Sequence, residues 1–466
     1  MRSVKSTTLE KLNAMRLKRW ALCAVVSFFS LITLAQDNSP YSRYGLGDLV
    51  PNTHIINRGM GSISAAYADP FSINYNNPAS YSSFYSRKQQ KSKKSEYGRV
   101  LFDVGLNFDN RTLKKPDSPD KFPASNALFS YMQLGIPIRN NWGLNFGLRQ
   151  VSRVDYKIFR TEQLYDPITG LAIDSVITEF TGNGGTFLAT TGTGFAINNF
   201  SLGLNVGYLF GNKTNTTKRA FIDTIDYKSS NHTTTTSFGK IFLSAGMQYK
   251  IDLENNMVLR LGAYGNLKTN LNAEQDIVRE TFVRSSDNGD LRLDSVYEQK
   301  GIKGKIIYPA AYGVGFVLGN KIDEQKNKYG TWLLGVDLVS NKWSQYRFYG
   351  ATDSVKNNWE LRVGGQIRPE PKLRNYLSNV AYRAGFFFGR DYVEVGNKLP
   401  LFGVSFGMGL PIANYNRLSQ GQASIINLSF EYIKRGNNDN LLKENLFRIS
   451  VGLSFSDLWF AKHHYE

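Results

Sequence analysis

The side chains that could do chemistry in this chain are few and scattered. Four histidines, His54, His232, His463 and His464, and one cysteine, Cys23, are spread over 466 residues, and no spacing among them suits a zinc site or a nucleophile paired with a base. Successive strand residues point to opposite faces, so His463 and His464 cannot close on one metal ion. There is no Gly-x-Ser-x-Gly elbow and no phosphate-cradling glycine loop. One acidic pattern recurs: Ile173-Asp174-Ser175-Val176, Ile222-Asp223-Thr224-Ile225, Leu293-Asp294-Ser295-Val296 and Thr352-Asp353-Ser354-Val355. Two copies follow turn sequences, Asp166-Pro167-Ile168-Thr169-Gly170 and Asp287-Asn288-Gly289-Asp290, which reads first as strands continuing into hairpins. A ring of ligand-binding aspartates is the sharper alternative, and spacing alone does not support it. The expectation is a protein that is not an enzyme, with no catalytic residue, cofactor or metal.

The elements that must position any site begin with an export signal. Lys11, Arg16, Lys18 and Arg19 form a basic region, an apolar run extends from Trp20 to Leu34, and Thr33-Leu34-Ala35 precedes Gln36 as a cleavage site, the pattern of a secretory signal peptide over residues 1–35. Met15 could equally be the initiator. Cys23 lies within the apolar run and lacks the small residue expected before a lipidated cysteine, so a mature chain starting at Gln36 carries no thiol, disulfide or lipid anchor. Removing six basic residues and one acid with the signal lowers the net charge from +18 to +13. The run Arg87, Lys88, Lys91, Lys93 and Lys94 reads as a solvated linker. Nucleic acid is not an expected partner of an exported chain; lipopolysaccharide and phospholipid headgroups are.

Beyond the signal, no stretch approaches the roughly 20 apolar residues of a membrane-spanning helix. Aromatic content is 13%, with 26 Tyr and 30 Phe beside 42 Gly, more exposed aromatic surface than water tolerates well. The organising signal is alternation with a period of two. Phe447, Ile449, Val451, Leu453 and Phe455 alternate with Arg448, Ser450, Gly452, Ser454 and Ser456; Phe102, Val104, Leu106 and Phe108 with Asp103, Gly105, Asn107 and Asp109. Leu202 to Phe210 and Phe402 to Leu410 repeat the pattern. Runs of this length suit tilted strands with one face to lipid and the other to water, whereas a soluble sandwich shows shorter ones.

Such segments number about fourteen, beginning near residues 99, 126, 142, 185, 199, 237, 257, 302, 329, 357, 378, 400, 423 and 445, an even count as a closed barrel requires. Tight connections at Asn140-Asn141, Asn198-Asn199 and Glu254-Asn255-Asn256 alternate with long ones near 110–125, 161–184, 215–236 and 271–301, the alternation of periplasmic turns and outer loops. In the last third both kinds run to about ten residues. Trp142, Trp332, Trp343, Trp359 and Trp459 fall at or near predicted strand ends, where an indole can sit among headgroups. The expected fold is an all-β transmembrane antiparallel barrel over residues 99–460 with a short tail at 461–466. Gly182-Asn183-Gly184-Gly185 reads as an outer-loop turn or, less simply, as a wall irregularity.

Residues 36 to about 86 lack the alternation and are rich in turn and small residues, and with the basic linker they make up an N-terminal unit over 36–98. They precede the first strand, on the periplasmic side, and either dangle or fold into the barrel. Inward-parity glycines at 105, 147, 203, 207, 385, 389, 403, 407 and 452 leave room for a plug, although strand glycines also mark bends. Arg58-Gly59-Met60-Gly61, Tyr67-Ala68-Asp69-Pro70, Ser72-Ile73-Asn74 and Asn77-Pro78-Ala79 resemble the amino-terminal hatch of FadL-type hydrophobic-compound transporters in their Bacteroidetes version. The same elements resemble a related barrel that assists type IX secretion. The resemblance implies an outer-membrane protein for passive uptake of hydrophobic small molecules such as long-chain fatty acids, with Arg58, Gly59, Met60, Gly61, Asn77, Pro78 and Ala79 in a gating hatch. It also leaves open an accessory role with secretion-system proteins as partners. Pro78 donates no ladder hydrogen bond, and Gly59 and Gly61 permit close approach, so these residues suit a lumen and not a wall. One departure from many such barrels is the tail that follows Trp459 and Phe460.

Overall fold

In the computed structural model, residues 39–88, 95–116, 118–222, 228–285, 289–322, 329–372, 375–412 and 423–459 are described. The proposed signal peptide, Phe460 and the tail with His463 and His464 lie outside them. The described wall is a closed antiparallel barrel of fourteen strands. We number them β1 (Ser95–Lys114), β2 (Lys121–Arg139), β3 (Trp142–Tyr165), β4 (Ala172–Ile197), β5 (Phe200–Phe221), β6 (Ser229–Asp252), β7 (Met257–Asn266 and Thr269–Ser285), β8 (Gly289–Tyr308 and Ala311–Asn320), β9 (Thr331–Asn341), β10 (Asn358–Arg368), β11 (Ala381–Val395), β12 (Asn397–Pro411), β13 (Ala423–Arg435) and β14 (Lys443–Trp459). Closure comes from β14 pairing with β1 along its whole length, from Lys443↔Lys114 to Trp459↔Gly98. No sheet edge is left in the apolar band at this seam, as a bilayer demands.

The alternation sorts as expected. On β5, Leu202, Leu204, Val206 and Tyr208 are exposed on the outside while Asn205 between them is buried in the lumen. Asp103, Asn107 and Asp109 on β1 are likewise buried inward, opposite the exposed Phe102. The tight turns at Asn140-Asn141 and Asn198-Asn199 lie at the end where β1 begins and β14 ends, which we call the periplasmic end; Asn198 takes a positive φ of 53° there. At the other end β3 to β8 do not stop at long loops but run on as paired strands, β4 for 26 residues. Asp174 and Asp294 of the recurring motif sit in those extensions, whereas Asp353 lies in the connection after β9, and Asp223 falls outside the described residues. Asp174, Asp294 and Asp353 each accept the N–H of the following serine, at 2.6, 2.8 and 2.7 Å. They form no ring, and among the described residues no group of acids, histidines or cysteines is arranged to hold a metal.

Several expectations need correction. Gly182-Asn183-Gly184-Gly185 is not a turn but part of β4, in register with both neighbours; Gly184 takes φ 133°, and a Cβ there would lie 2.3 Å from the Asn212 carbonyl oxygen. In the last third the outer connections do not share a length of about ten residues, since β11 and β12 join through Gly396 alone whereas residues 342–357 link β9 to β10. Trp343 does not sit at headgroup level. It turns inward and is 2% exposed, packed with its ring centroid 4.5 Å from that of Tyr392, because the connection after β9 folds over the mouth.

Residues 39–85 fill the lumen. Contrary to the expected periplasmic start, the segment begins at the outer end, where the Ser39 hydroxyl donates to Glu444 and the Tyr41 hydroxyl to the Leu442 carbonyl at 2.9 Å. It then descends through α1 (Ile55–Arg58) and the 3-10 turn Pro78–Ser83 before joining β1. Five of the nine glycines singled out, Gly105, Gly203, Gly385, Gly407 and Gly452, face this plug; Gly147, Gly207, Gly389 and Gly403 face other wall residues. Contact is closest where main chain meets main chain: a Cβ on Gly203 would lie 2.2 Å from the Pro78 carbonyl carbon, and one on Gly385 2.2 Å from the Gly61 nitrogen. Gly203→Val therefore cannot coexist with the plug in place, and the expected outcome is a barrel whose residues 39–85 become cleavable by protease in detergent while the wild-type plug stays resistant.

Candidate functional site

The hatch residues identified from sequence are brought together in the plug, but against three different stretches of wall. Arg58 is fully buried and has no carboxylate partner among the described residues. Its guanidinium instead donates to Thr53 O and Pro51 O (both 2.9 Å), Asn107 Oδ1 (2.5 Å), Ser130 Oγ (2.6 Å) and, more weakly, Ser450 Oγ (3.4 Å). It thus ties the loop 51–53 to β1, β2 and β14 at once. Its helix is capped by His54, whose Nδ1 accepts the Ile56 N–H at 3.1 Å, which leaves Nε2 to face Asp103 Oδ2 at 3.2 Å. Gly59, Met60 and Gly61 lie against Gly364, Gly385 and Gly407 on β10, β11 and β12. Asn77 caps the Pro78–Ser83 turn by accepting the Ala79 N–H at 3.1 Å, and its amide nitrogen donates to Ala65 O at 2.6 Å and to Met247 O and Ala263 O of β6 and β7 at 3.2 Å each. Between these anchors, Asp337 of β9 accepts the N–H groups of Ser64 and Ala65 at 2.6 and 2.8 Å.

None of the seven residues expected to form the hatch lines the cavity enclosed between plug and wall. That cavity, about 240 Å³, lies between plug residues 48–53 and 75–76 and the outer half of the wall. One side is apolar, with Val151, Leu188, Leu209, Phe242, Tyr308 and Trp343. The other is charged and internally paired. Arg111 Nη2 meets Asp48 Oδ2 at 2.6 Å and its Nη1 meets Glu444 Oε2 at 2.8 Å; Arg435 meets Asp48 at 3.0 Å and Asp391 at 2.8 Å. Arg149 differs: it lines the cavity with its guanidinium 5.4 Å from the Tyr75 ring centroid and has no carboxylate partner among the described residues.

The wall beside the cavity is incomplete. β2 and β3 pair up to Tyr131↔Arg149 and no further. Above that point β3 carries a bulge at Val151, and its free edge is taken by the plug, with Asp48↔Arg153 and Leu49↔Ser152 in register and the Val50 N–H donating to Val151 O at 3.0 Å. Arg58, through Ser130 on one side and Pro51 and Thr53 on the other, holds this junction. The separation lies at the outer border of the apolar band, since outward Phe146 is 43% exposed whereas Arg153 and Asp155 above it form an ion pair.

Sequence reasoning found Arg58 but missed Asp48, Arg111, Arg149 and Arg435. Their signal was present in part, because charged residues at inward parity in a strand read as lumen-facing and need partners. What was invisible is which pairs meet across the barrel.

Membership of this architecture in a class follows from the closed wall, the plug and the lumenal cavity: the chain is a plugged transmembrane β-barrel. It belongs to the BamG family, whose model matches residues 17–466. In fold it is similar to the Pseudomonas putida toluene transporter TodX, with 16% identity over 89% of this chain and 99% of that one and a TM-score of 0.50. A FadL homologue of Pseudomonas aeruginosa is similar at 14% identity over 90% and 100% of the two chains, with a TM-score of 0.48. No curated protein matches the chain.

Two outcomes follow from this geometry. Arg58→Met removes donors from two carbonyls and three wall side chains, and at about 1–3 kcal/mol for a charged hydrogen bond lost from a buried site, unfolding in urea from detergent should shift to lower denaturant by at least about 2 kcal/mol. For Asp48, burial alone would raise the carboxyl pKa, but the Arg111 and Arg435 guanidiniums outweigh it and hold it below the usual carboxylate value. A depressed folded value means that the clasp is fully present above the ordinary carboxyl pKa of about 3.9 and is lost as pH falls through the lower one. Protease access to residues 39–50 should stay flat from neutrality to about pH 4 and rise below it, and Asp48→Asn should abolish that step.

Proposed function

We propose that this protein resides in the outer membrane of a Gram-negative cell, exported by the signal at residues 1–35, and takes up hydrophobic small molecules such as long-chain fatty acids by passive, hatch-gated passage. The observation that carries the reading is the half-apolar lumenal cavity adjoining a separation of β2 and β3 that only plug main chain fills. Cavities lined mostly by apolar side chains with a few oriented polar groups are ligand sites by default. Arg149 supports an anionic head group, because a cation without a carboxylate in a low-dielectric cavity gains most from a counter-charge brought by the ligand. TodX, similar in fold, is a toluene transporter, which agrees with an apolar ligand. In this reading Gly59, Met60 and Gly61 and Asn77, Pro78 and Ala79 are the fixed ends of the hatch, Arg58 is its latch, and residues 45–53 are the part that moves.

A deletion strain should lose most of its capture of labelled oleate and regain it on complementation. Arg149→Gln should lower oleate uptake about tenfold, the effect of roughly 1.4 kcal/mol, while leaving a neutral hydrocarbon unchanged; undiminished uptake of a broad ligand panel by the deletion strain counts against the proposal. The rival role, an accessory barrel of type IX secretion, is favoured by one observation: the tips of the extended strands carry exposed apolar residues, Tyr165 at 62%, Ile168 at 93% and Leu171 at 69%, a surface suited to docking protein. Co-isolation with secretion machinery in affinity purification separates the two.

A further inference from the structure

The wall is interrupted a second time, away from the β2–β3 separation. β7 and β8 break at the same level, between Asn266 and Thr269 and between Tyr308 and Ala311, and yet keep one register across the break, with Asn266↔Ala311 below it and Thr269↔Tyr308 above. The two strands therefore bend as a pair. β6 does not follow: it pairs with β7 at Ser244↔Asn266 and again at Gly239↔Asn272, and between those points Lys240, Ile241, Phe242 and Leu243 have no ladder partner on β7. Where a ladder would run, Asn266 Nδ2 donates to Leu267 O at 3.2 Å and Pro309 O at 3.1 Å. Pro309 itself has no N–H to offer.

The interruption lies within lipid reach. Ile241 and Leu243 are 63% and 52% exposed, and Leu267 is 73% exposed, whereas the β6 residues just above are Ser237 and Gly239. Main chain without ladder partners is tolerated at membrane depth only where it is covered by protein or lines a cavity. Here it lines one: Phe242, Asn266, Pro309, Ala311 and Tyr312 all border the lumenal cavity, and Tyr312 is also 44% exposed on the outside. Among the described residues no plug main chain pairs with β6 or β7 at this level. The opening is filled instead by side chains, Phe242 edge-on to Tyr308 at 5.7 Å and the fully buried Leu271.

We infer that the β6–β7 interruption is a second lateral portal, through which a single apolar chain, the acyl chain of an outer-leaflet amphiphile, passes between the bilayer and the cavity with the plug in place. The nature of the cargo rests on the uptake reading; the opening of the wall does not, so two measurements separate them. In vesicles of dioleoylphosphatidylcholine, a benzoylphenylalanine at Phe242 should form photo-adducts with lipid about tenfold more often than one at Leu128, a lumenal residue that does not border the cavity, a contrast equivalent to one decade in occupancy. Independently, in a Cys23→Ala background, the pair Leu243→Cys and Leu267→Cys continues the Ser244↔Asn266 register and should form a disulfide across the interruption. Oxidation should slow oleate uptake about fivefold, with recovery on reduction, while the control pair Tyr249→Cys and Leu261→Cys, opposed within the intact ladder, should leave it unchanged. An absence of adducts at Phe242, or full uptake by the cross-linked barrel, overturns the portal. Adducts at Phe242 in a wild-type protein that takes up no ligand support the portal and sink the uptake reading.

Discussion

Main-chain N–H and C=O groups have nowhere to go in hydrocarbon except to each other, and every feature of this molecule answers to that demand. A wall of strands satisfies it only by closing, which the β14–β1 pairing accomplishes from Trp459↔Gly98 to Lys443↔Lys114. Closure then fixes the sequence pattern, since each strand must present apolar side chains outward and something compatible with an enclosed interior inward. It also makes any gap in the ladder informative. Two gaps among the described strands, at β2–β3 and at β6–β7, border the same cavity, and one of them is closed by main chain lent from the plug.

The interior inverts the usual relation of core and surface. Where a soluble protein buries apolar side chains, this lumen buries arginines, aspartates, asparagines and serines, and satisfies them in a network. Arg111 and Arg435 share Asp48 and Glu444, Arg448 takes Asp109 in a two-pronged pair at 2.6 and 2.8 Å, and Arg58 is held by neutral acceptors only. Breaking one member of such a network leaves a buried charge or carbonyl unmatched, which costs more than the contact itself contributes. The plug is therefore fixed by polar specificity and by glycine-lined walls that admit its main chain, together with two small apolar clusters, one of Ile56, Met60, Ile63 and Tyr67 and one that joins Ile55, Ile73, Tyr81 and Phe84 to Leu101 and Tyr131 of the wall. At the outer mouth aromatic and aliphatic residues gather as well, with Tyr41 and Leu46 of the plug in one buried cluster with Trp343, Tyr346 and Tyr392.

Much of this was legible from residue order because a period of two is a property of single strands. The parity of Phe402 to Leu410 or of Phe447 to Phe455 needs no knowledge of neighbours, and neither does the strand count. The lumen-facing Gly203 and Gly385 pointed to a plug for the same local reason. What escaped depends on partners distant in sequence. Trp343 looked like a headgroup anchor because it lies near a strand end; it is buried because the loop carrying it folds over the mouth. Gly182-Asn183-Gly184-Gly185 has turn composition, yet ladder partners on both sides keep it in β4. The descent of the plug from the outer end, the seating of Arg149 over Tyr75 and the plug strand that takes the edge of β3 all arise where segments distant in sequence meet. Of the double break in β7 and β8, only Pro309 leaves a trace in the sequence.

Lipid touches one face of each strand, and plug or lumen touches the other. Spin labels placed singly from Phe402 to Gly409 on β12 in reconstituted bilayers report this directly through collisions with dissolved oxygen and with a water-soluble nickel chelate. Oxygen accessibility should be high at Phe402, Val404, Phe406 and Met408 and low at Gly403, Ser405, Gly407 and Gly409, with the nickel chelate excluded from the first set. Equal oxygen accessibility at both parities, or free access of the chelate to Val404 and Phe406, contradicts it.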